Sequence, residues 1–283
     1  MREKYILAID QGTSGTKAII FNSRGQIVAR GEQELESSYP KKGFVEQDPE
    51  DIYQNVLQAV RQCISIYQRG VRTELDDIVS CGISNQRETI VLWDKDGTPL
   101  YNAIVWQCKR SVEICENIKG TTLETDIIER TGLVVDPYFS GTKVKWLYDN
   151  VEEVREAIDK GKAYCGTVDT WLLYKLTDGK SFFTDYTNAA RTLFFNIDRL
   201  NWDSVLLRKF KLRDLKLPEP QPSVFNFGKT TFQGIFEKPI KINAMIGDSH
   251  AAAFGERCFE PGNAKVTLGT GSSILMNTGE KRV

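Results

Sequence analysis

The stretch YILAIDQGTSGTKAIIF, residues 5–21, places two apolar runs on either side of a polar segment. The runs at residues 5–9 and 18–21 carry branched and aromatic side chains, which predicts two buried strands. The segment between them, residues 10–17, is too polar for a core, and we expect it to be too long for a two-residue hairpin turn. Its small polar residues suit an ordinary loop. They equally suit a phosphate cradle, in which glycines expose backbone N–H groups and Thr13, Ser14 and Lys17 add hydrogen-bond donors.

The composition of the 283-residue chain is that of an ordinary globular protein with room for about two domains. Its net charge of −1 gives no electrostatic footprint for nucleic acid or an anionic membrane. Six scattered cysteines without a C-x-x-C pair, together with a single histidine, argue against a zinc site and fit a reducing compartment. Asp10 cuts the first apolar run short, and no uncharged run approaches the ~20 residues of a membrane helix. We therefore expect a cytoplasmic protein without a signal peptide.

The order of apolar patterns and breakers predicts an α/β domain. We expect a long helix that Asp48 caps, Pro49 begins and Gly70 ends. Three prolines make residues 217–222 the most linker-like segment. The remaining predicted elements are strands at 5–10, 17–22, 26–31, 78–83, 89–93 and 240–246, helical segments between 108 and 160 and at 167–176, an extended segment at 184–197 and a helix opening at Asp248.

The opening pattern has an echo near the end of the chain. Residues 264–276, AKVTLGTGSSILM, again place a Gly-Thr-Gly cluster between two apolar runs. Two such hairpins would suit a duplicated fold that grips a polyphosphate between its halves, which favours the phosphate interpretation of the first. A Walker A loop is excluded because Ser223 stands where its first glycine belongs, and Gly12 to Gly15 opens no helix as a dinucleotide fingerprint would.

Polar side chains follow the predicted strand at 78–83. In SNQRET, residues 84–89, Arg87 offers a forked donor and Glu88 a carboxylate acceptor, at the strand end where open α/β sheets bind ligands. The alternative is a surface ion pair, the commoner state of an Arg-Glu dipeptide. Trp106 and Tyr138 would pass as core aromatics, but their polar neighbours also suit a pocket wall.

Asp248 follows the predicted strand at 240–246 and precedes an apparent helix. It has two interpretations, a helix N-cap or a carboxylate that accepts a proton from an attacking hydroxyl. His250, the only histidine, is assigned to the first turn of that helix and not to catalysis, because nothing else resembles a nucleophile–histidine system.

The sequence contains five characteristic stretches: NQRET (85–89), AIVWQC (103–108), DPYFSGTKVKW (136–146), GTVDTW (166–171) and TDYTNA (184–189). Together they closely resemble the glycerol kinases, which belong to the FGGY carbohydrate kinases. The resemblance spans essentially the whole chain and implies the ribonuclease-H-like, actin-like ATPase fold. It also implies ATP and Mg²⁺ as cofactors, a small polyol as partner, no nucleic acid or membrane partner, and a homo-oligomer.

The resemblance assigns roles residue by residue. Asp10 would organise Mg²⁺ through water, and Asp248 would be the general base for phosphoryl transfer to glycerol. The polyol would be held by Arg87, Glu88, Trp106, Tyr138, Asp248 and Ser249, and the nucleotide would be contacted by Thr13, Ser14, Gly15, Lys17 and Thr270.

This sequence departs from the family pattern in three respects. Ser249 stands where the family usually has glutamine, and Ser273 aligns with an aromatic residue, so both changes remove bulk beside the substrate. A polyol larger than glycerol is therefore an alternative substrate, since lost apolar contact of this size is worth ~1–3 kcal/mol of discrimination. The third departure is length.

Family chains are considerably longer than this one. We accordingly expect a first domain at residues 1–250, the opening segment of a second domain at 251–283, and weak or absent catalysis by this piece alone. Two further alternatives stay open, a non-catalytic polyol-binding fragment and an actin-like ATPase that hydrolyses ATP without an acceptor.

Overall fold

The computed structural model describes residues 3–70, 74–268 and 272–280. The helices are α1 (Pro49–Gly70), α2 (Val112–Ile118), α3 (Thr122–Thr131), α4 (Ser140–Asn150), α5 (Glu152–Asp159), α6 (Val168–Leu176), α7 (Tyr186–Ala189), α8 (Ser204–Lys209) and α9 (Asp248–Gly255), with a 3₁₀ turn at Leu75–Asp77. The strands are β1 (Tyr5–Gly12), β2 (Gly15–Asn22), β3 (Ile27–Glu34), β4 (Glu46–Gln47), β5 (Ile78–Asn85), β6 (Ile90–Trp93), β7 (Ala103–Ile104), β8 (Tyr164–Thr167), β9 (Phe183–Asp185), β10 (Phe195–Asn196), β11 (Asn201–Trp202), β12 (Glu219–Gln221), β13 (Val224–Thr230), β14 (Ile240–Gly247), β15 (Ala264–Thr267) and β16 (Ser273–Met276).

A six-stranded mixed sheet in the order β13-β14-β5-β1-β2-β3 is the centre of the fold. The first three strands form an antiparallel meander, and β5 and β14 both run parallel to β1. Side chains on β1 alternate between buried and more exposed, so Tyr5, Leu7 and Ile9 enter the core. The carboxyl ends of β1, β5 and β14 therefore lie side by side at one edge of the sheet.

Helix α1 begins and packs as its sequence predicts. The Asp48 carboxylate accepts the backbone N–H of Glu50, and Pro49 is the first helical residue. The helix lies directly against β3, since a Cβ at Gly31 would come within 2.3 Å of the carbonyl oxygen of Ala59. Together with α6, the helix and the sheet enclose the first of two hydrophobic clusters.

A second hydrophobic cluster lies around a four-stranded sheet in the order β4-β7-β6-β8. Residues of α2 to α5 and α8 supply its other side. Five cysteines are buried and Cys258 is half-buried, and each is a free thiol, as the sequence predicts. Among the described helices none is both long and apolar enough to cross a membrane.

Three sequence predictions about the chain path are wrong. The strands β1 and β2 continue to Gly12 and Gly15, so the turn between them does hold only two residues, Thr13 and Ser14. The segment at 184–197, predicted as extended, contains α7 between two short strands. Residues 217–222 are not a linker, because β12 pairs parallel with β9. Pro220 is tolerated there because β12 is an edge strand.

Candidate active site

The polar residues that follow three parallel strands meet at one edge of the central sheet. Gln11 of β1 is in register with Asn85 of β5, and Asn85 is in register with Gly247 of β14. Residues just beyond these ends therefore converge, although they are far apart in sequence. This is the position at which open α/β sheets bind ligands.

A cavity of about 590 Å³ lies at this edge. It brings together all of the predicted polyol-binding residues, together with Thr13 of the β1–β2 turn and Ser273 of β16. Its lining residues are Thr13, Arg87, Glu88, Trp106, Tyr138, Arg191, Asp248, Ser249, Lys265, Thr267, Ser272, Ser273, Ile274 and Leu275.

Arg87, which follows β5, is hydrogen-bonded to the two cavity residues at the start of α9. Its Nε donates to Oδ1 of Asp248 over 3.1 Å, and its Nη2 donates to Oγ of Ser249 over 3.0 Å. Burial lowers the pKa of Arg87, but the carboxylates of Glu88 and Asp248 outweigh it, so the pKa lies above its ordinary value. The alternative interpretation, a surface ion pair between Arg87 and Glu88, does not describe the structure, because each pairs with another residue.

Glu88 is buried and its backbone has φ = 61°, a left-handed conformation that is uncommon for a residue with a side chain. Its Oε1 accepts a 2.6 Å hydrogen bond from Nε of Arg191, and its carbonyl accepts one from Oγ of Ser140. Sequence analysis missed Arg191, which lies 103 positions away in the segment predicted as extended. No pattern in the sequence links the two residues.

Trp106 and Tyr138 form the apolar side of the cavity. Their ring centroids are 5.6 Å apart at an interplanar angle of 72°, and Nε1 of Trp106 donates to Oγ1 of Thr13 over 2.8 Å. Burial, followed by the nearby Glu88 carboxylate, raises the pKa of Tyr138. The pocket wall is thus connected directly to the turn of the first hairpin.

Lys143, which sequence analysis also missed, stabilises the loop that carries Tyr138 through hydrogen bonds to its carbonyl oxygens. The ammonium group is fully buried and donates to the carbonyl oxygens of Pro137 and Tyr138 over 2.6 Å, and to that of Phe139 over 3.3 Å. Burial lowers the pKa of Lys143 to about 8.

Asp248 begins helix α9, and the N-cap interpretation is wrong because Gly247 occupies the cap position. The Asp248 side chain is 45% exposed and faces the cavity. His250 lies in the first turn of the helix, as predicted, and does not line the cavity. Burial, followed by the charges of Arg87, Arg191 and Lys265, lowers its pKa to about 4, so its imidazole is neutral near pH 7.

The predicted phosphate and metal residues lie beside the cavity but not in it, apart from Thr13. Asp10 is exposed near the end of β1, where its Oδ1 accepts from Oγ of Ser84. Lys17 is exposed opposite it on β2. Ser14 lines a neighbouring cavity of about 800 Å³, and Gly15 is in neither of these two cavities.

The predicted nucleotide contact Thr270 lies outside the described residues. Within residues 3–70, 74–268 and 272–280, no group of three or more His, Cys, Asp or Glu side chains could hold a metal ion. The roles assigned to the phosphate and metal residues stay predictions.

Residues 5–255 match the N-terminal domain of the FGGY family of carbohydrate kinases. The glycerol kinase of Thermoanaerobacter sp. (strain X514) is 50% identical over 281 residues, which cover 99% of this chain and 56% of that protein. Glycerol kinase 2 of Thermotoga maritima is 47% identical over 98% of this chain and 55% of that protein. The chain thus spans about half the length of the curated relatives it matches.

Solved structures similar to this chain also include a glycerol kinase and another carbohydrate kinase. A crystal structure of Plasmodium falciparum glycerol kinase with ADP aligns with a TM-score of 0.93 at 36% identity, over 99% of this chain and 55% of that one. Gluconate kinase from Lactobacillus acidophilus aligns with a TM-score of 0.84 at 24% identity, over 96% of this chain and 54% of that one, a likeness of fold alone. Together these findings confirm the predicted actin-like α/β fold and the resemblance to glycerol kinases.

Proposed function

This chain belongs to the FGGY family of carbohydrate kinases, and we propose that it forms the polyol site of an enzyme that phosphorylates glycerol with MgATP. The product would be glycerol 3-phosphate. The division into a domain at 1–250 and the start of another at 251–283 belongs to the same proposal. So do the cytoplasmic location and the homo-oligomeric state.

The observation that carries the proposal is the placement of Asp248. Its half-exposed carboxylate faces a cavity in which Arg87 and Glu88 offer a donor and an acceptor, while Trp106 and Tyr138 supply an apolar wall. Oδ1 of Asp248 accepts from Arg87 and from the backbone N–H of Ser249, and within the described chain no hydrogen bond reaches Oδ2. That oxygen is the natural acceptor for the proton of a bound hydroxyl.

The proposed reaction follows from these roles. The polyol oxygen forms a bond to the γ-phosphorus of ATP as the bond from that phosphorus to the β–γ bridging oxygen breaks, and ADP leaves with the electron pair. The hydroxyl proton passes to Asp248. Arg87 holds the carboxylate in place and Glu88, fixed by Arg191, orients the polyol.

The residues at the sheet edge fit MgATP in chemical type. Mg²⁺ is usually held by one or two carboxylates and by substrate phosphates and water. Asp10 is an exposed carboxylate with a hydroxyl neighbour, Ser84, and so suits water-mediated contact with the ion. In the turn, Ser14 offers an exposed hydroxyl donor for phosphate oxygens, whereas the Thr13 hydroxyl accepts from Trp106 and donates to Oε1 of Gln86. When bound, Mg²⁺ would neutralise charge that develops on the phosphoryl oxygens.

A larger polyol is the second candidate substrate. Both residues that depart from the family pattern, Ser249 and Ser273, line the cavity. Ser249 is also engaged by Arg87, so its hydroxyl contributes to the wall. Short side chains at both positions would suit a polyol with an additional carbon and hydroxyl.

The test combines binding and turnover. Glycerol binding by this chain is measured by calorimetry, and the chain is then incubated with MgATP and equal amounts of glycerol, erythritol, ribulose and xylulose. Mass spectrometry identifies the phosphorylated products. Asp248→Asn is compared with Asp96→Asn, which changes an exposed carboxylate outside the cavity.

Glycerol phosphate as the main product supports the proposal, and a larger phosphorylated polyol supports the second candidate. We expect Asp248→Asn to bind glycerol within about threefold of the wild type and to lose about 10²- to 10⁴-fold in turnover. Unchanged turnover in that variant, or no glycerol binding by the wild type, would refute the assignment. Binding without product would favour a polyol-binding unit that does not catalyse alone, and ADP release that ignores the polyol would favour a plain ATPase.

A further inference from the structure

The hairpin of β15 and β16 buries a charged residue and exposes apolar ones, the reverse of the usual order. Lys265 is only 6% exposed, whereas Val266 beside it is 53% exposed and Ile274 on the opposite strand is 72% exposed. Lys265 lines the cavity described above. The buried face of β15 therefore brings a cation to the polyol site.

Lys265 is the cavity cation without a fixed counter-charge. Arg87 pairs with Asp248 and Arg191 pairs with Glu88, so these four charges balance within the wall. In the part of the chain that the structure describes, no carboxylate lies within ion-pair distance of the Lys265 ammonium and no acceptor bonds to it. The Lys265 ammonium is open to the cavity and is not sealed in the core. A cation placed there without a fixed counter-charge is suited to bind an anionic ligand.

We propose that Lys265 is the anion-binding residue of this cavity and that its ligand is the phosphate ester of the small polyol, a proposal that rests on the function proposed above. Neutral glycerol offers Lys265 only hydroxyl oxygens. Phosphoryl transfer turns one hydroxyl into a dianion beside Asp248, and an ammonium binds phosphate as a point charge through short, charge-assisted hydrogen bonds. Lys265 thus distinguishes the phosphorylated polyol from the neutral one.

The test measures two ligands against the same variants. Calorimetry on this chain gives affinities for glycerol and for sn-glycerol 3-phosphate, in the wild type, Lys265→Met and Lys265→Arg. Lys241→Met is the matched control, because Lys241 is an exposed strand lysine outside the cavity and its loss changes net charge equally. Inorganic phosphate, titrated alone and with glycerol present, separates binding of any phosphate from binding of the ester.

We expect Lys265→Met to bind glycerol 3-phosphate about 10- to 100-fold more weakly and glycerol within about twofold of the wild type. Lys265→Arg should restore most of the affinity for the ester. Added salt should weaken binding of the ester to the wild type more than to Lys265→Met. Inorganic phosphate should compete with the ester in the wild type.

Three results would overturn the proposal. Equal losses for glycerol and its phosphate in Lys265→Met would make Lys265 a structural residue, and the melting temperatures of the variants would confirm that cause. An unchanged affinity of Lys265→Met for the ester would refute the proposal without affecting the assignment of the glycerol site. A wild type that binds neither ligand would refute the proposed function and this inference together.

Discussion

Gly247 makes room for Arg87, and Gly247→Ala should therefore impair polyol binding without removing any polar group. A Cβ at this position would lie 2.5 Å from Cδ and 2.7 Å from Cγ of Arg87. The backbone of Gly247 cannot retreat easily, because it pairs with Asn85 and its N–H donates to Thr187 over 2.8 Å. The arginine side chain must move instead.

The displacement breaks the two hydrogen bonds by which Arg87 holds Asp248 and Ser249. Hydrogen bonds to charged groups contribute about 1.5–3 kcal/mol each, and the exposure of Asp248 places its bond nearer 1 kcal/mol. Because part of this loss is regained by a new Arg87 position, we expect glycerol affinity to fall about 10- to 30-fold. Overpacking should lower the free energy of unfolding by about 1–3 kcal/mol.

The assay is calorimetric titration with glycerol, paired with urea unfolding. Gly255→Ala is the matched control, since it lies at the other end of α9 and a Cβ there meets nothing within 4 Å. It should leave affinity unchanged and raise helix stability by up to ~1 kcal/mol. Glycerol affinity of Gly247→Ala within twofold of the wild type would show that the position of Arg87 does not matter for binding.

Three further predictions test other parts of the structure. The folded-state pKa of His250, about 4, lies below its ordinary 6.5, so the unfolded chain binds this proton more tightly. The stabilising contribution of the neutral imidazole, up to about 3 kcal/mol, is complete above pH 6.5 and is lost as the pH falls towards 4. In urea unfolding, His250→Gln should therefore lose less free energy of unfolding over this pH range than the wild type does. Parallel pH dependences of the two proteins would contradict the assignment. Lys143→Met removes the donors that hold the Tyr138 loop, so glycerol affinity should fall about tenfold in calorimetry. Its free energy of unfolding should change by less than about 3 kcal/mol, because relief of ammonium burial offsets the lost hydrogen bonds, and unaltered affinity would refute the role of the lysine. Gly31→Ala places a Cβ 2.3 Å from a carbonyl oxygen of α1 and should lower the free energy of unfolding by urea by about 2–4 kcal/mol. The control Gly70→Ala has open space around it and should not lower this free energy. Equal stabilities of the two variants would be inconsistent with close packing of α1.

Much of the site could be predicted because its residues follow strands. Arg87, Glu88 and Asp248 come directly after apolar runs, and parallel strands place such residues at one edge. Arg191 and Lys143 gave no such signal. Arg191 acts through an ion pair with Glu88, 103 positions away, and Lys143 acts through carbonyl groups of the loop before its own helix. Each residue therefore has a role only after the chain has folded.

The alternation of β1, the start and end of α1 and the polar residues at the strand ends follow from local sequence, because these features depend on neighbours in the chain. The extension of β1 and β2 through buried polar residues to a two-residue turn depends instead on long-range contacts. Gln11 can be buried because Gln86, after β5, donates to it and also to Gln47. The lost hydration of these amides is replaced by partners that sequence separation conceals. The position of the cation at the cavity also depends on tertiary structure, since Lys265 is a surface residue by type and becomes buried where β15 packs beside α9.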